Sequence, residues 1–180
     1  METLGELAPA VLAQHAATIV AKLDHAESGV RQAALQALGK LDPATLAPHA
    51  AAVVAKLEGS GPDVCQAAME TLGKLEPAAL AQHAAAVAAR LEDSDEWVRK
   101  ATVYTLGMLE PAALAQHAAA IVAKLEDSEY VRRAALETLG KLEPSNLAPH
   151  EAAIRAAEAE EKRAAERSRQ LHEAFHWVTD

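Results

Sequence analysis

Apolar residues recur along this chain at helical spacing, segment after segment. Over one stretch the set is Leu114, Ala118, Ile121 or Val122, and Leu125; over another it is Val30, Ala34, Ala37 and Leu38. The pattern is itself periodic. Leu-Gly pairs fall at Leu4-Gly5, Leu38-Gly39, Leu72-Gly73, Leu106-Gly107 and Leu139-Gly140, so successive glycines are 34, 34, 34 and 33 residues apart. Prolines (Pro9, Pro43, Pro77, Pro111, Pro144) and histidines (His15, His49, His83, His117, His150) keep the same register. The last interval is short because the loop Glu126-Asp127-Ser128-Glu129 lacks one residue found before Trp97. A fixed period of this length means stacked copies of one supersecondary unit.

Each unit predicts two helices. The first begins near the residue before the histidine (Gln14, Pro48, Gln82, Gln116, Pro149), because proline is tolerated only in a first helical turn. The Pro-Ala-Ala-Leu ahead of it is a short turn or kinked lead-in. The second helix opens with Val30-Arg31, Val98-Arg99 or Val131-Arg132 and ends at the glycine, read as a C-terminal cap. Acidic loops such as Glu92-Asp93-Ser94-Asp95 supply N-cap oxygens. Arg31, Arg99 and Arg132 point toward the packed side and need acceptors there. The loop carboxylates Asp24, Asp93 and Asp127 predict an inter-repeat Asp–Arg ladder, with one rung lost where Cys65 replaces the arginine.

Asp127-Ser128 leading to Val131-Arg132-Arg133-Ala134-Ala135-Leu136 and then Leu139-Gly140 resembles the HEAT repeats of the armadillo-like superfamily over residues 1–150. The period equals that of tetratricopeptides, but their Trp/Leu-Gly/Tyr placement is missing, as is the Thr-Pro-Leu-His of ankyrins. The resemblance implies an all-α, right-handed α-solenoid of about four and a half units that binds other proteins. It would span residues 1–149, with a long C-terminal helix over 150–180 as a cap or assembly element. Met1-Glu2-Thr3-Leu4-Gly5 copies Met69-Glu70-Thr71-Leu72-Gly73, so the chain is expected to open inside a second helix, without an N-terminal cap. The near-identity of the units fits recent duplication or consensus design.

Composition narrows the class. The 180 residues are 51% hydrophobic but only 3% aromatic, so alanine carries much of the apolar content and close-packed helices are favoured over a β-sandwich. Twenty-six acidic against 17 basic residues give a net charge of −9, which argues against nucleic-acid binding. One cysteine rules out an internal disulfide framework; with no secretory leader and no membrane-spanning apolar run, a cytoplasmic placement is expected.

Pro149 to Val178 contains no glycine or further proline and predicts one helix of ~30 residues, ~45 Å long. Its middle alternates charge, and its tip carries Leu171, Ala174, Phe175 and Val178 on one face. Leu171, Phe175 and Val178 are the assembly candidates, implying a homodimer as one outcome. His172-Glu173-Ala174-Phe175-His176 matches the H-E-x-x-H spacing of zinc peptidases, but no third ligand follows it. The resemblance also brings in di-iron HEAT-like hydroxylases with paired His-Glu motifs. His150-Glu151 and His172-Glu173 lie ~33 Å apart along one helix, too far to share a metal. Rungs of the histidine ladder are about 10 Å apart, beyond metal–nitrogen reach, so those residues are read as structural, their imidazoles bonding the preceding turn. No metal or cofactor is expected, and Cys65 is read as a small buried hydrophobe.

Comparing units isolates the positions that the stack leaves free. On the second helices these are Gly29, Gln32, Gln36, Lys40; Asp63, Gln66, Glu70, Lys74; Trp97, Lys100, Tyr104, Met108; and Tyr130, Arg133, Glu137, Lys141. Spaced 3, 4 and 4, each set is one helix face. The third set departs from its neighbours. Trp97, Lys100, Tyr104, Met108, Tyr130 and Arg133 are therefore the candidate binding residues, on what the resemblance makes a concave groove wall. The alternative is that Trp97 and Tyr130 fold over the acidic loops as local packing. The expected function is a non-enzymatic interaction scaffold for a protein or peptide; a self-assembly module comes second and a metal-dependent enzyme a distant third.

Overall fold

The computed structural model describes residues 9–57 and 61–176 of the chain, with side-chain surroundings over 11–57 and 61–170. Among the described residues every regular element is helical. Four long helices repeat: α1 (Ser28–Leu38), α2 (Pro62–Leu72), α3 (Glu96–Leu106) and α4 (Glu129–Leu139); α5 (Glu151–His176) follows. Each of α1–α4 is preceded by two short helices, for instance Pro77–Ala81 and Ala84–Ala88 before α3, the second running on into a 3-10 segment, Ala89–Glu92.

Each unit therefore has three helical segments where the sequence predicts two. The break falls at the histidine. His15, His83 and His117 take φ/ψ of −107/9, −111/0 and −105/1, well away from helical ψ. Backbone bonds straddle the bend: His83 N–H donates to the Leu80 carbonyl at 2.9 Å, and the His83 carbonyl accepts from Val87 N–H at 3.1 Å. The imidazoles of His15, His49, His83 and His117 make no capping hydrogen bond, so the turn is held by backbone and not, as the sequence suggests, by the ring. The proline lead-in is a true helix, started in the second unit by Asp42, whose carboxylate accepts from Thr45 N–H at 3.0 Å.

The core lies between the short helices and the long ones. Leu46, Val53 and Leu57 face inward with Val64, Ala68 and Leu72 in the second unit, and Leu114, Ile121 and Leu125 with Val131, Ala135 and Leu139 in the fourth. The long helices also pack directly on one another, α1 on α2, α2 on α3 and α3 on α4, while short helices of successive units approach far less. Alanines such as Ala34, Ala67, Ala68, Ala134 and Ala135 permit that closeness. The long helices therefore form one continuous layer of the stack. Buried on both flanks and behind, α2 leaves only Asp63, Gln66 and Glu70, with its N-terminal Pro62, exposed within its span.

Threonines tie the long helices together. Thr71 Oγ1 lies 2.9 Å from the Leu35 carbonyl of α1 and 2.7 Å from Ala67 of its own helix. Thr105 and Thr138 repeat the contact toward Met69 and Val103, each at 3.4 Å. The glycines after the long helices serve this approach and are not left-handed caps. Gly73 and Gly107 have φ of −65° and −66°, and a Cβ on Gly107 would fall 2.9 Å from Thr138 Oγ1. Lys141 Nζ then donates to the Gly107 carbonyl at 2.9 Å.

Among the described residues, the expected Asp–Arg ladder has a single rung of that form. Arg99 donates from Nε and Nη2 to the two carboxylate oxygens of Asp127 in the next unit, at 2.8 and 2.7 Å. Arg31 instead donates to the His25 and Ala26 carbonyls of its own loop, and Arg132 to Glu161 of α5 at 2.9 Å. Asp24 pairs with Lys56 of the following unit at 2.7 Å, matched by Glu92 with Lys124 at 2.8 Å. Asp93, the counterpart of Asp127 at the boundary where Cys65 replaces the arginine, is paired with Arg90 of its own unit, and Arg90 also lies against Cys65. The loop caps also vary: Asp95 accepts from Trp97 and Val98 N–H at the start of α3, whereas Ser128 makes no side-chain cap for α4.

α5 packs on α4 and on the segment Ala123–Glu126 through Ala157 and Ile154. Beyond Glu161 its side chains to residue 170 are mostly exposed, with Glu160 bonded to Arg163 and Arg167 at 3.1 and 3.0 Å.

Candidate functional site

The free stripe of α3 begins where Asp95 fixes the helix start, which sets the angular positions of Trp97, Lys100, Tyr104 and Met108. Four residues per turn-and-a-bit put these side chains on one line. Trp97 and Met108 are 47% and 48% exposed, and Tyr130, opening α4, is 50% exposed. These are large apolar side chains on a stripe that elsewhere carries Gln, Asp, Glu, Lys, Arg and one Gly.

Ring packs on ring across the two units. Trp97 and Tyr130 have centroids 5.2 Å apart with planes tilted by 31°. The Lys100 ammonium sits 5.0 Å from the Trp97 centroid, 5.7 Å from Tyr130 and 5.9 Å from Tyr104, within cation–π range of all three. Tyr104 Oη donates to Glu137 Oε2 of α4 at 3.4 Å. Burial, with Glu137 behind it, pushes the Tyr104 hydroxyl above the ordinary phenol value of 10.0. Arg133 pairs with Glu129 at 2.7 Å and with Glu161 at 3.4 Å.

The structure thus brings together Trp97, Lys100, Tyr104 and Tyr130, places Met108 at the far end of the same stripe, and commits Arg133 to carboxylates. It also adds residues beyond that set. A cavity of about 290 Å³ opens between α2 and α3, lined by Gln66, Met69, Glu70, Trp97, Lys100, Ala101, Tyr104, Thr105 and Met108. Gln66 and Glu70 are in the free set of α2, so internal comparison does contain them. Met69 and Thr105 are buried stacking residues whose edges reach the cavity floor, and no single-helix periodicity would mark them.

A search of solved structures finds a designed armadillo repeat protein in complex with peptide (KR)4, with a TM-score of 0.67 at 16% identity over 86% of this chain and 79% of that one. The fold is an armadillo-like α-solenoid. Three helical segments per unit fit that description. No family model and no curated protein matches the chain.

Elsewhere on the solenoid, no cluster of three His, Cys, Asp or Glu close enough for a metal occurs among the described residues. His172, Glu173 and His176 lie on the α5 backbone, but their side chains fall outside the described residues, as do those of the assembly candidates Leu171 and Phe175 and the whole of Val178. Leu4-Gly5, the expected opening of the array, is likewise outside them. Cys65 is buried, and burial raises its thiol above the ordinary 9.0. No described helix is long and apolar enough to cross a membrane.

Proposed function

We propose that this chain is a non-enzymatic interaction scaffold that holds a protein or peptide segment against its concave face, centred on Trp97, Lys100, Tyr104, Met108 and Tyr130. One observation carries the reading: an exposed aromatic cluster beside a cavity of about 290 Å³, on the stripe that stacking leaves free. Aromatic anchors of this kind dominate interface energies. The structurally similar designed protein is in complex with a peptide, and the proposal extends that mode to this chain. A short HEAT-like repeat in the cytoplasm, arisen by duplication or design, completes it.

Trp97→Ala and Tyr104→Ala test the reading. Both should abolish or weaken capture of a peptide from a displayed library by tenfold or more, while circular dichroism keeps the helical spectrum. Retained capture would move the site elsewhere.

The second reading, self-assembly through α5, rests on the apolar sequence pattern of Leu171, Phe175 and Val178 at its tip. Light scattering on the full chain and on one ending at Arg169 separates the two. A dimer that dissociates on truncation favours assembly.

A further inference from the structure

The aromatic cluster is not an empty cage waiting for a cation, because Lys100 already occupies it. Its ammonium lies within 6 Å of three ring centroids, so a partner's lysine or arginine brought to the rings meets the repulsion of a like charge. Four carboxylates around the patch are committed within the chain. Glu70 accepts from Gln66 at 3.0 Å, Glu129 from Arg133 at 2.7 Å, Glu137 from Tyr104 at 3.4 Å, and Glu161 from Arg132 at 2.9 Å. Lys100 itself is paired with no carboxylate among the described residues; the rings are its partners. A ring face satisfies an ammonium only in part, because its N–H donors still point outward.

From this charge pattern we infer that the groove selects a segment carrying a carboxylate next to a large apolar side chain, and that Lys100 is the residue that determines this specificity. The apolar side chain fills the cavity between α2 and α3 over Met69, Ala101 and Met108. The neighbouring Asp or Glu takes the outward donors of Lys100, while Trp97 and Tyr130 shield the pair from water and so strengthen it. The net charge of −9 repels such a partner at long range, so recognition rests on contact and not on steering. This inference rests on the groove reading above and assigns its ligand chemistry.

The test uses three synthetic octapeptides, alternating Glu-Leu, Gln-Leu and Lys-Leu, titrated by fluorescence anisotropy in 0.15 M salt. The full chain is compared with Trp97→Ala, Met108→Ala and Lys100→Gln. The Glu-Leu peptide should bind tightest, by about tenfold over Gln-Leu, as expected for a charge-assisted hydrogen bond. Lys100→Gln should erase that gap, and Trp97→Ala and Met108→Ala should weaken both peptides. If Gln-Leu or Lys-Leu binds as tightly or tighter, and still depends on Trp97, the carboxylate preference falls and the groove stands. If no peptide binds, or binding ignores Trp97 and Met108, both readings fall together.

Discussion

Arg99 and Asp127 are joined by two hydrogen bonds, 2.8 and 2.7 Å, across the boundary between the third and fourth units. Both side chains are largely buried, at 16% and 13% exposure. The Arg99 guanidinium holds the Asp127 carboxyl below its ordinary 3.8. With the folded value below the unfolded one, the stabilisation is complete above about pH 4 and is lost as pH falls through the folded value. Asp127→Asn should cost about 2 kcal/mol at neutral pH, and much less near pH 2. Urea midpoints at the two pH values check it; a gap that ignores pH would mean that the carboxylate's charge is irrelevant.

Two glycines should respond to alanine in opposite directions. Gly29 sits in the first turn of α1 with nothing within 4 Å of an added Cβ. Gly29→Ala should stabilise by about 0.4–1 kcal/mol through the unfolded chain's lost freedom. Gly107→Ala drives a methyl into Thr138, which is fully buried. A loss of about 1–3 kcal/mol is expected, as for other overpacked sites. Equal effects in chemical denaturation would show that the close approach does not matter.

At the second-to-third boundary the arginine has changed sides. Cys65 stands where the other units have Arg31, Arg99 and Arg132, and Arg90 stands where they have Lys22, Lys56 and Lys124. Cys65→Arg alone puts a second cation beside Arg90 and should destabilise. Arg90→Lys alone gives up the Asp93 pairing geometry. The double variant restores the arrangement of the third-to-fourth boundary and should recover stability, a coupling of about 1–3 kcal/mol in a double-mutant cycle. Simple additivity would show the two positions to be independent.

Tyr104 offers a spectroscopic reading of the site. In a Tyr130→Phe background it is the remaining tyrosine of the two. Its ultraviolet titration should fall above the ordinary phenol value of 10.0, raised first by burial and then by Glu137. Adding Glu137→Gln should bring the midpoint down without returning it fully. No change would mean that the 3.4 Å contact with Glu137 carries no weight in solution.

The period, the long helices and the exposed stripe are legible in the sequence because all three depend on burial, which repeats with the unit. Partner choice is less so. Asp24 aligns with Glu92 and Glu126, one position before Asp93 and Asp127, so what looks like one family of loop acids is two. The first meets a lysine from the next unit and the second an arginine. Glycine after a helix is equally ambiguous. A left-handed cap and a close helix–helix approach both call for a missing Cβ, and the helical φ of −66° at Gly107 separates them. The candidate site was legible on α3 and α4, where Trp97 and Tyr130 break the pattern. Its other wall, with Met69, was not, because that residue looks like ordinary core until two helices are set side by side.

The cavity has a mechanical consequence as well. α2 and α3 belong to successive units, the second and the third, and pack on one another along a single seam. The cavity opens along this same seam. Anything seated there touches α2 and α3 at once and works as a splint. By mass action it stabilises the joined form by RT ln(1 + [L]/Kd), about 2.7 kcal/mol at a hundredfold excess over Kd. A filled groove thus adds to the direct packing of α2 on α3 and stiffens the array at its middle.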